Sequence, residues 1–238
     1  MQEPSTQRAE RLTLLFDADD TLWQNSIYFE QAIAAFISYL DHRVHTAEEV
    51  REHLNLCERA TIREHGYGLR SFRRSLTQCF EQLSDGPLTP EKQERILAFA
   101  NSIAEQEIEL LPDVDVTLRE LATRHRLIVV TKGATDEQTD KLERSGLGAH
   151  FEAIEVLGEK DEAAYRRVAA KYACDPNTTW MIGNSPKSDI NPALAAGLNA
   201  VFIPHDFTWV LEHEVLNQAQ APSQMMELPR FAELVRYF

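Results

Sequence analysis

The chain has 238 residues, 43% hydrophobic and 26% charged, a composition that supports one large buried core or a core with an insert. A formal net charge of −14 argues against a nucleic-acid partner, because no dominant basic patch offsets repulsion from phosphates, yet it leaves small anionic substrates open. No apolar run approaches the roughly 20 residues of a bilayer-spanning helix, and Met1–Arg11 lacks the apolar stretch of a secretory leader, so no membrane partner and a cytoplasmic location are expected.

The first element is the apolar run Leu12–Phe16, which reads as a buried strand of a parallel sheet. It leads directly into Asp17-Ala18-Asp19-Asp20-Thr21. Three carboxylates crowded at a strand end repel one another and desolvate badly. An Asp-rich turn with Asx or capping hydrogen bonds accounts for them. So does a divalent cation, and Mg²⁺ suits oxygen ligands that leave room for a substrate phosphate. In that second reading the spacing divides the labour. One carboxylate attacks phosphorus; another, two residues on, protonates the leaving oxygen and later activates water.

Residues 23–110 then read as helix after helix. Ile33, Phe36, Ile37 and Leu40 make one apolar stripe, and Val50 with Leu54 a second. Phe72, Leu76, Cys79, Phe80 and Leu83 make a third, and Ile96, Phe99 and Ile103 a fourth. Gly86-Pro87 is a break and Thr89-Pro90 a helix start. Of the three cysteines, Cys79 reads as a small core residue; Cys57 and Cys174 read as buried thiols, with no metal-binding spacing. So much chain between two strands predicts a helical cap at 23–110, inserted into an α/β core made of residues 1–22 and 111–238. Arg59 to Arg74 concentrates cations, with Gly66 and Gly68 bracketing Tyr67 in a tight loop. Either Arg63, His65 or Arg70 meets a second anionic group of a substrate beside Tyr67, or this is a solvated helix face. Trp23 and Asn25, where the chain leaves the core, line the cleft or pack at the hinge.

Four further buried strands follow, at Leu127–Thr131, Ala153–Leu157, Trp180–Gly183 and Ala200–Ile203. Helical patterns at Thr135–Arg144, Asp161–Tyr172 and Pro192–Ala196 separate them, so the core is predicted as a Rossmann-like open parallel sheet with helices on both faces. Polar groups stand at the strand ends, where such sheets bind ligands. The second strand ends in Thr131-Lys132-Gly133, a hydroxyl, an ammonium and a pliant backbone suited to phosphate. Lys132 touches that phosphate or is simply exposed. Lys160 follows the third strand, and the fourth runs into Gly183-Asn184, with Asp189 five residues further on. Asp189 can supply the additional acid that a metal at Asp17 requires. The tail carries a linker at Ala221-Pro222-Ser223 and an apolar-patterned helix, Phe231–Phe238, expected to dock on the core.

Asp17-Ala18-Asp19-Asp20-Thr21, Thr131, Lys160 and Gly183-Asn184 with Asp189, in that order and each after a strand, resemble the four-motif signature of the haloacid dehalogenase (HAD) superfamily. The helical insert resembles its C1-type cap, as in phosphoglycolate-phosphatase-like and nucleotidase-like members. The resemblance spans nearly the whole chain. It implies a Mg²⁺-dependent phosphatase acting on a small phosphorylated metabolite through an aspartyl-phosphate. Asp17 is then the nucleophile and Asp19 the general acid/base. Asp17, Asp189 and the Asp19 carbonyl are the metal ligands. Thr131 binds phosphoryl oxygens with Lys132 and Gly133, and Lys160 neutralises charge. Relatives often carry Gly-Asp where this chain has Gly183-Asn184; an amide oxygen still ligates Mg²⁺ or its water, but without charge, so weaker metal binding is expected. Asp161 also replaces a frequent Pro.

Three other readings stay in view. A 2-haloacid dehalogenase attacks with an Asp but needs no acid two residues on, and a phosphomutase passes the phosphoryl group to a sugar. A receiver-like signalling module binds phosphate without turnover, but fits the long insert poorly. A monomer or a homodimer is compatible with the sequence.

Overall fold

The computed structural model describes residues 11–40 and 44–238, so the leader reading for Met1–Arg11 falls almost wholly outside the described residues. A six-stranded sheet, parallel throughout, forms the centre in the order β3-β2-β1-β4-β5-β6. Its strands are β1 (Thr13–Phe16), β2 (Arg126–Lys132), β3 (Ala153–Leu157), β4 (Thr179–Gly183), β5 (Asn199–Phe202) and β6 (Met225–Glu227). Successive side chains of a strand point to opposite faces. Leu14 and Phe16 therefore join one apolar layer with Val129, Ile182 and Val201, while Leu15 enters the other with Ile128, Val130 and Met181. Helix α5 (Val114–Ala122) covers the first face through Val114, Leu118 and Leu121; α7 (Glu162–Lys171) covers the second through Tyr165 and Val168.

Helices α1 (Ser26–Tyr39), α2 (Ala47–His65), α3 (Leu69–Leu83) and α4 (Pro90–Ala104) build a separate apolar cluster. Ile33, Phe36, Leu54, Phe72, Leu76 and Ile96 meet in it, and none of the sheet's residues belongs to it. The helix starts are written locally. Thr46 and Glu49 form a reciprocal capping box for α2, and Thr89 caps α4 with Pro90 in its first turn. The two chain crossings between this bundle and the sheet lie side by side: Gln24 N donates to Glu109 O at 2.9 Å and Leu111 N to Leu22 O at 2.9 Å. Trp23, opposite Leu110, is buried there in the sheet-side core.

The tail differs from expectation. The stretch after Ala221-Pro222-Ser223 adds a sixth strand, β6, at the sheet edge beside β5. It is only three residues long and lacks a long apolar run, so periodicity does not announce it. The expected helix Phe231–Phe238 is a 3₁₀ run, Phe231–Arg236, but Phe231, Leu234 and Phe238 do bury against Phe16 and Trp180. Among the described residues, no helix is long and apolar enough to cross a membrane.

Candidate active site

The carboxyl ends of β1, β2 and β4 open toward the helical bundle, and between them lies a cavity of about 170 Å³. Asp17 extends β1, its N–H donating to Ile182 O at 2.9 Å. Its carboxylate is ion-paired with Lys160, which also donates to Asp189 Oδ1 at 2.8 Å. The three residues are 7%, 3% and 1% exposed for Asp17, Lys160 and Asp189. Burial, and then the charge of Asp189, push the Asp17 carboxyl up to about 7 against the pull of Lys160. Burial works against the Lys160 ammonium, yet the two carboxylates hold it well above the usual lysine range.

Asp189 is placed by its own loop. A turn at Pro186–Ile190 brings its Oδ2 to accept from Ser185 N at 2.9 Å, directly against Gly183, where any side chain would collide with the carboxylate. Asn184 supplies a neighbouring amide oxygen. Thr21 Oγ1 lies 3.0 Å from Asp17 Oδ2 and 3.2 Å from Asn184 Oδ1, but its single proton satisfies only one acceptor at a time. Two buried carboxylates against one ammonium leave a negative charge uncompensated, and an acceptor lone pair is free beside it. The donors are all oxygen, which fits Mg²⁺. Among the described residues no three His, Cys, Asp or Glu side chains gather as a metal cluster; beside Asp17 and Asp189 the neighbouring oxygen is the Asn184 amide.

Asp19 is turned toward helix α6 (Thr135–Arg144). Its Oδ1 accepts from Lys141 Nζ at 2.8 Å and from Trp23 Nε1 at 2.8 Å, and its Oδ2 from Gln138 Nε2 at 2.9 Å. Burial raises its pKa, but Lys141, Trp23 and Gln138 together outweigh that and hold the carboxyl below the usual range. Asp20 has a different duty. Its carboxylate accepts from the backbone N–H groups of Asn25 and Ser26, each at 2.9 Å, and caps the start of α1. Trp23, expected as a possible substrate contact, does not line the cavity; its ring is packed in the core and reaches the site only through Asp19.

Thr131, Lys132 and Gly133 line the cavity, and Thr131 Oγ1 donates to Gln138 Oε1 at 3.3 Å. Lys132 is neither exposed nor free for phosphate. Its ammonium donates to Glu212 Oε1 at 2.6 Å, Ser188 Oγ at 2.9 Å and Tyr67 OH at 3.3 Å, and lies 4.4 Å from the centre of the Tyr67 ring. Tyr67 OH donates to Glu159 Oε2 at 2.8 Å. The glycine-bracketed loop therefore does face the core, through its tyrosine. Its cations do not. Arg63 and Arg70 are exposed and lie outside the cavity, as is His65. Each of the two arginines sits two residues from an inward position, Thr61 or Phe72, which is about 200° around a helix.

The bundle's wall of the cavity is formed by Phe29, Ile33, Ile62 and Phe72, with Glu30 and Glu58 among them. Burial pushes the Glu58 carboxyl up to about 7, Arg51 opposing. Sequence reading missed Gln138, Lys141, Glu212 and Glu58. Gln138 and Lys141 carry a signal in retrospect, three residues apart on the helix that follows the phosphate-type strand end. Glu58 carries one too, four residues after Leu54 on the buried face of α2. Glu212, in a short 3₁₀ turn, carries none.

Comparison with known proteins agrees with this geometry. Residues 14–203 match the family described as haloacid dehalogenase-like hydrolase. The human N-acylneuraminate-9-phosphatase is 22% identical over 241 residues, covering 93% of this chain and 94% of that protein. A phosphoserine phosphatase of Thermus thermophilus is 30% identical over 129 residues, about half of each chain (52% and 51%). The crystal structure of a haloacid dehalogenase-like family hydrolase from Xanthomonas campestris superposes with a TM-score of 0.78 at 27% identity, covering 95% of both chains. The chain belongs to the haloacid dehalogenase-like hydrolase family.

Proposed function

We propose that this hydrolase is a phosphatase that removes phosphate from a small phosphorylated metabolite, with Asp17 as nucleophile. The observation that carries the reading is the pairing at the end of β1: Asp17 buried against Lys160, and a second carboxylate two residues on, held by its own donors. The phosphatase names of the relatives support it. Residues 23–110 then form a cap over a core made of 1–22 and 111–238.

In the first half-reaction an Asp17 oxygen bonds to phosphorus as the bond to the leaving oxygen breaks. Lys160 offsets charge on the transferring group, and Thr131 with the Gly133 backbone orients its oxygens. The leaving oxygen takes its proton from Asp19. That carboxyl is ionised at rest, so it must first gain a proton; a phosphate dianion bound beside it counters Lys141 and raises its pKa. In the second half Asp19 takes a proton from water as the water attacks phosphorus, freeing Asp17 and inorganic phosphate. Mg²⁺, when held by Asp17, Asp189, Asn184 and the Asp19 carbonyl, supplies charge neutralisation for the phosphoryl oxygens.

A dehalogenase has no use for three donors aimed at a residue two positions after the nucleophile. The test is phosphate release from a panel of phosphomonoesters with Mg²⁺, beside halide release from 2-chloropropionate. Asp17→Asn should lower phosphate release by more than about 10³-fold while keeping the thermal midpoint near wild type. Halide release without metal, or an active Asp17→Asn protein, overturns the reading.

A further inference from the structure

The cavity has two chemically different ends. The sheet end gathers Lys160, Lys132 and Lys141, whereas among the described residues the bundle contributes no cation to the lining. It contributes instead a carboxylate without a partner. Glu58 is 6% exposed, and its Oε2 is buried with no hydrogen-bond donor among the described residues.

The donors nearby are committed elsewhere. Arg51, the cation acting on Glu58, makes a two-pronged pair with Glu30 at 2.7 Å on each arm, and its Nε donates to Asn55 Oδ1 at 3.1 Å. Glu30, the other acid of this wall, is thereby neutralised. Ser71 and Ser75, which also line the cavity, spend their protons on the carbonyl oxygens of Gly66 (2.6 Å) and Ser71 (3.0 Å). An unpaired buried acceptor is costly, and native structures seldom keep one without a use. Apolar walls around a single polar group are the usual build of a selective ligand site.

We propose that Glu58 selects the substrate by taking a protonated amine on the leaving group, at the end remote from the phosphate. This rests on the phosphatase reading of the same site and narrows it to phosphomonoesters of amino alcohols. Such a substrate offers each end of the cavity a group that end can hold. Its phosphate meets Lys160, Thr131 and the Gly133 backbone at the sheet end, and its ammonium gives Glu58 the donor it lacks. A second anionic group, which the cationic segment 59–74 suggests from sequence, would instead face a carboxylate. A hydroxyl in place of the amine makes a hydrogen bond but leaves the charge uncompensated.

The experiment compares ω-aminoalkyl phosphates of two, three and four carbons with alkyl phosphates of matched length, and uses p-nitrophenyl phosphate as a general probe. kcat/KM is measured at neutral pH with Mg²⁺. Wild type should prefer at least one amine over its neutral match by tenfold or more. Glu58→Gln and Glu58→Leu should bring that ratio to within about threefold of one. Both should leave p-nitrophenyl phosphate turnover within about threefold of wild type, Glu58→Leu guarding against a glutamine that is itself left unpaired. If wild type hydrolyses p-nitrophenyl phosphate but shows no amine preference, or if the preference survives both substitutions, the assignment of Glu58 is wrong and the phosphatase reading stands. If no phosphomonoester is hydrolysed, the phosphatase reading falls and this inference with it.

Discussion

The strongest quantitative consequence lies in the ion pair between Lys132 and Glu212. Their side chains are 13% and 10% exposed and 2.6 Å apart. At an effective dielectric constant of about 20, two charges at that distance attract by about 6 kcal/mol, set against several kcal/mol to desolvate each ion. Removing one partner of such a pair costs about 3–5 kcal/mol, since the other is left charged and buried. Here each keeps other partners. Glu212 Oε2 accepts from Ser185 Oγ at 2.8 Å and also from Ser188, and Lys132 keeps Ser188 and Tyr67. The lower end, about 3 kcal/mol, is therefore expected for Lys132→Met or Glu212→Gln alone. In a protein of this size that is a fall of about 6–12 °C in thermal midpoint. The double variant leaves no stranded charge, so its loss should be well short of the sum, with a coupling of about 2–3 kcal/mol. Thermal and urea unfolding of the four proteins measure it. Burial raises the Glu212 pKa, but Lys132 and the two serine hydroxyls hold it below its unfolded value. Its stabilisation is thus present above the ordinary carboxylate range and is lost as pH falls through the folded pKa. The gap between wild type and Glu212→Gln should close on acidification. Additive losses, or a gap indifferent to acid, would refute the argument.

Lys141→Met removes the cation that does most to keep Asp19 ionised, so the Asp19 pKa should rise and the matching limb of the kcat/KM profile should move to higher pH; an unmoved limb separates Asp19 from proton transfer. Asp20→Ala strips the acceptor from two N–H groups at the start of α1 and should cost about 1–2 kcal/mol, most of it recovered by Asp20→Asn, as read from the unfolding midpoint. Asn184→Asp places a third carboxylate beside Asp17 and Asp189. Without Mg²⁺ it should lower the thermal midpoint, and Mg²⁺ should raise that midpoint more than in wild type, with on the order of tenfold less metal needed for half-maximal effect; equal responses to Mg²⁺ would show that Asn184 is not near the ion.

Strands β1, β2, β4 and β5 were legible because they are buried along nearly their whole length, which turns each into a continuous apolar run; the half-buried edge strand Ala153–Leu157 and the helix Thr135–Arg144 also fall where the sequence places them. Lys160 was legible only through order along the chain, since a lone lysine after a strand has no signature, and its bridging of Asp17 and Asp189 is a three-dimensional fact. Gly183 shows the same limit. Its need for a missing side chain becomes visible only once the Asp189 carboxylate is found against it. In the helical bundle the sequence misleads in the other direction. A run of cations in an acidic protein suggests anion binding, but helical phase decides which of them can look inward, and Arg63 and Arg70 are out of phase by two residues. The same phase puts Glu58 on the inward face, where a residue normally excluded from interiors went unremarked among apolar neighbours.

These placements divide the cavity's electrostatics into two separate problems with different solutions. At the sheet end, Lys160 is shared by two carboxylates, so one negative charge there lacks a partner, and under the phosphatase reading that is where a divalent cation would serve the transferred group. At the bundle end Glu58 again lacks a cation, but the other oxygens of that wall are committed, Glu30 to Arg51 and the hydroxyls of Ser71 and Ser75 to backbone carbonyls, and the rest of the wall is aromatic and aliphatic. A strongly hydrated metal ion has no ligands to replace its water there, whereas an alkylammonium brings apolar methylenes to those walls and a donor to the carboxylate. Mg²⁺ titration should therefore raise the thermal midpoint of Glu58→Gln as much as that of wild type, while Asp17→Asn should lose most of that response. Two negative sites in one cavity, distinguished by what lines them, would then bind two different cations.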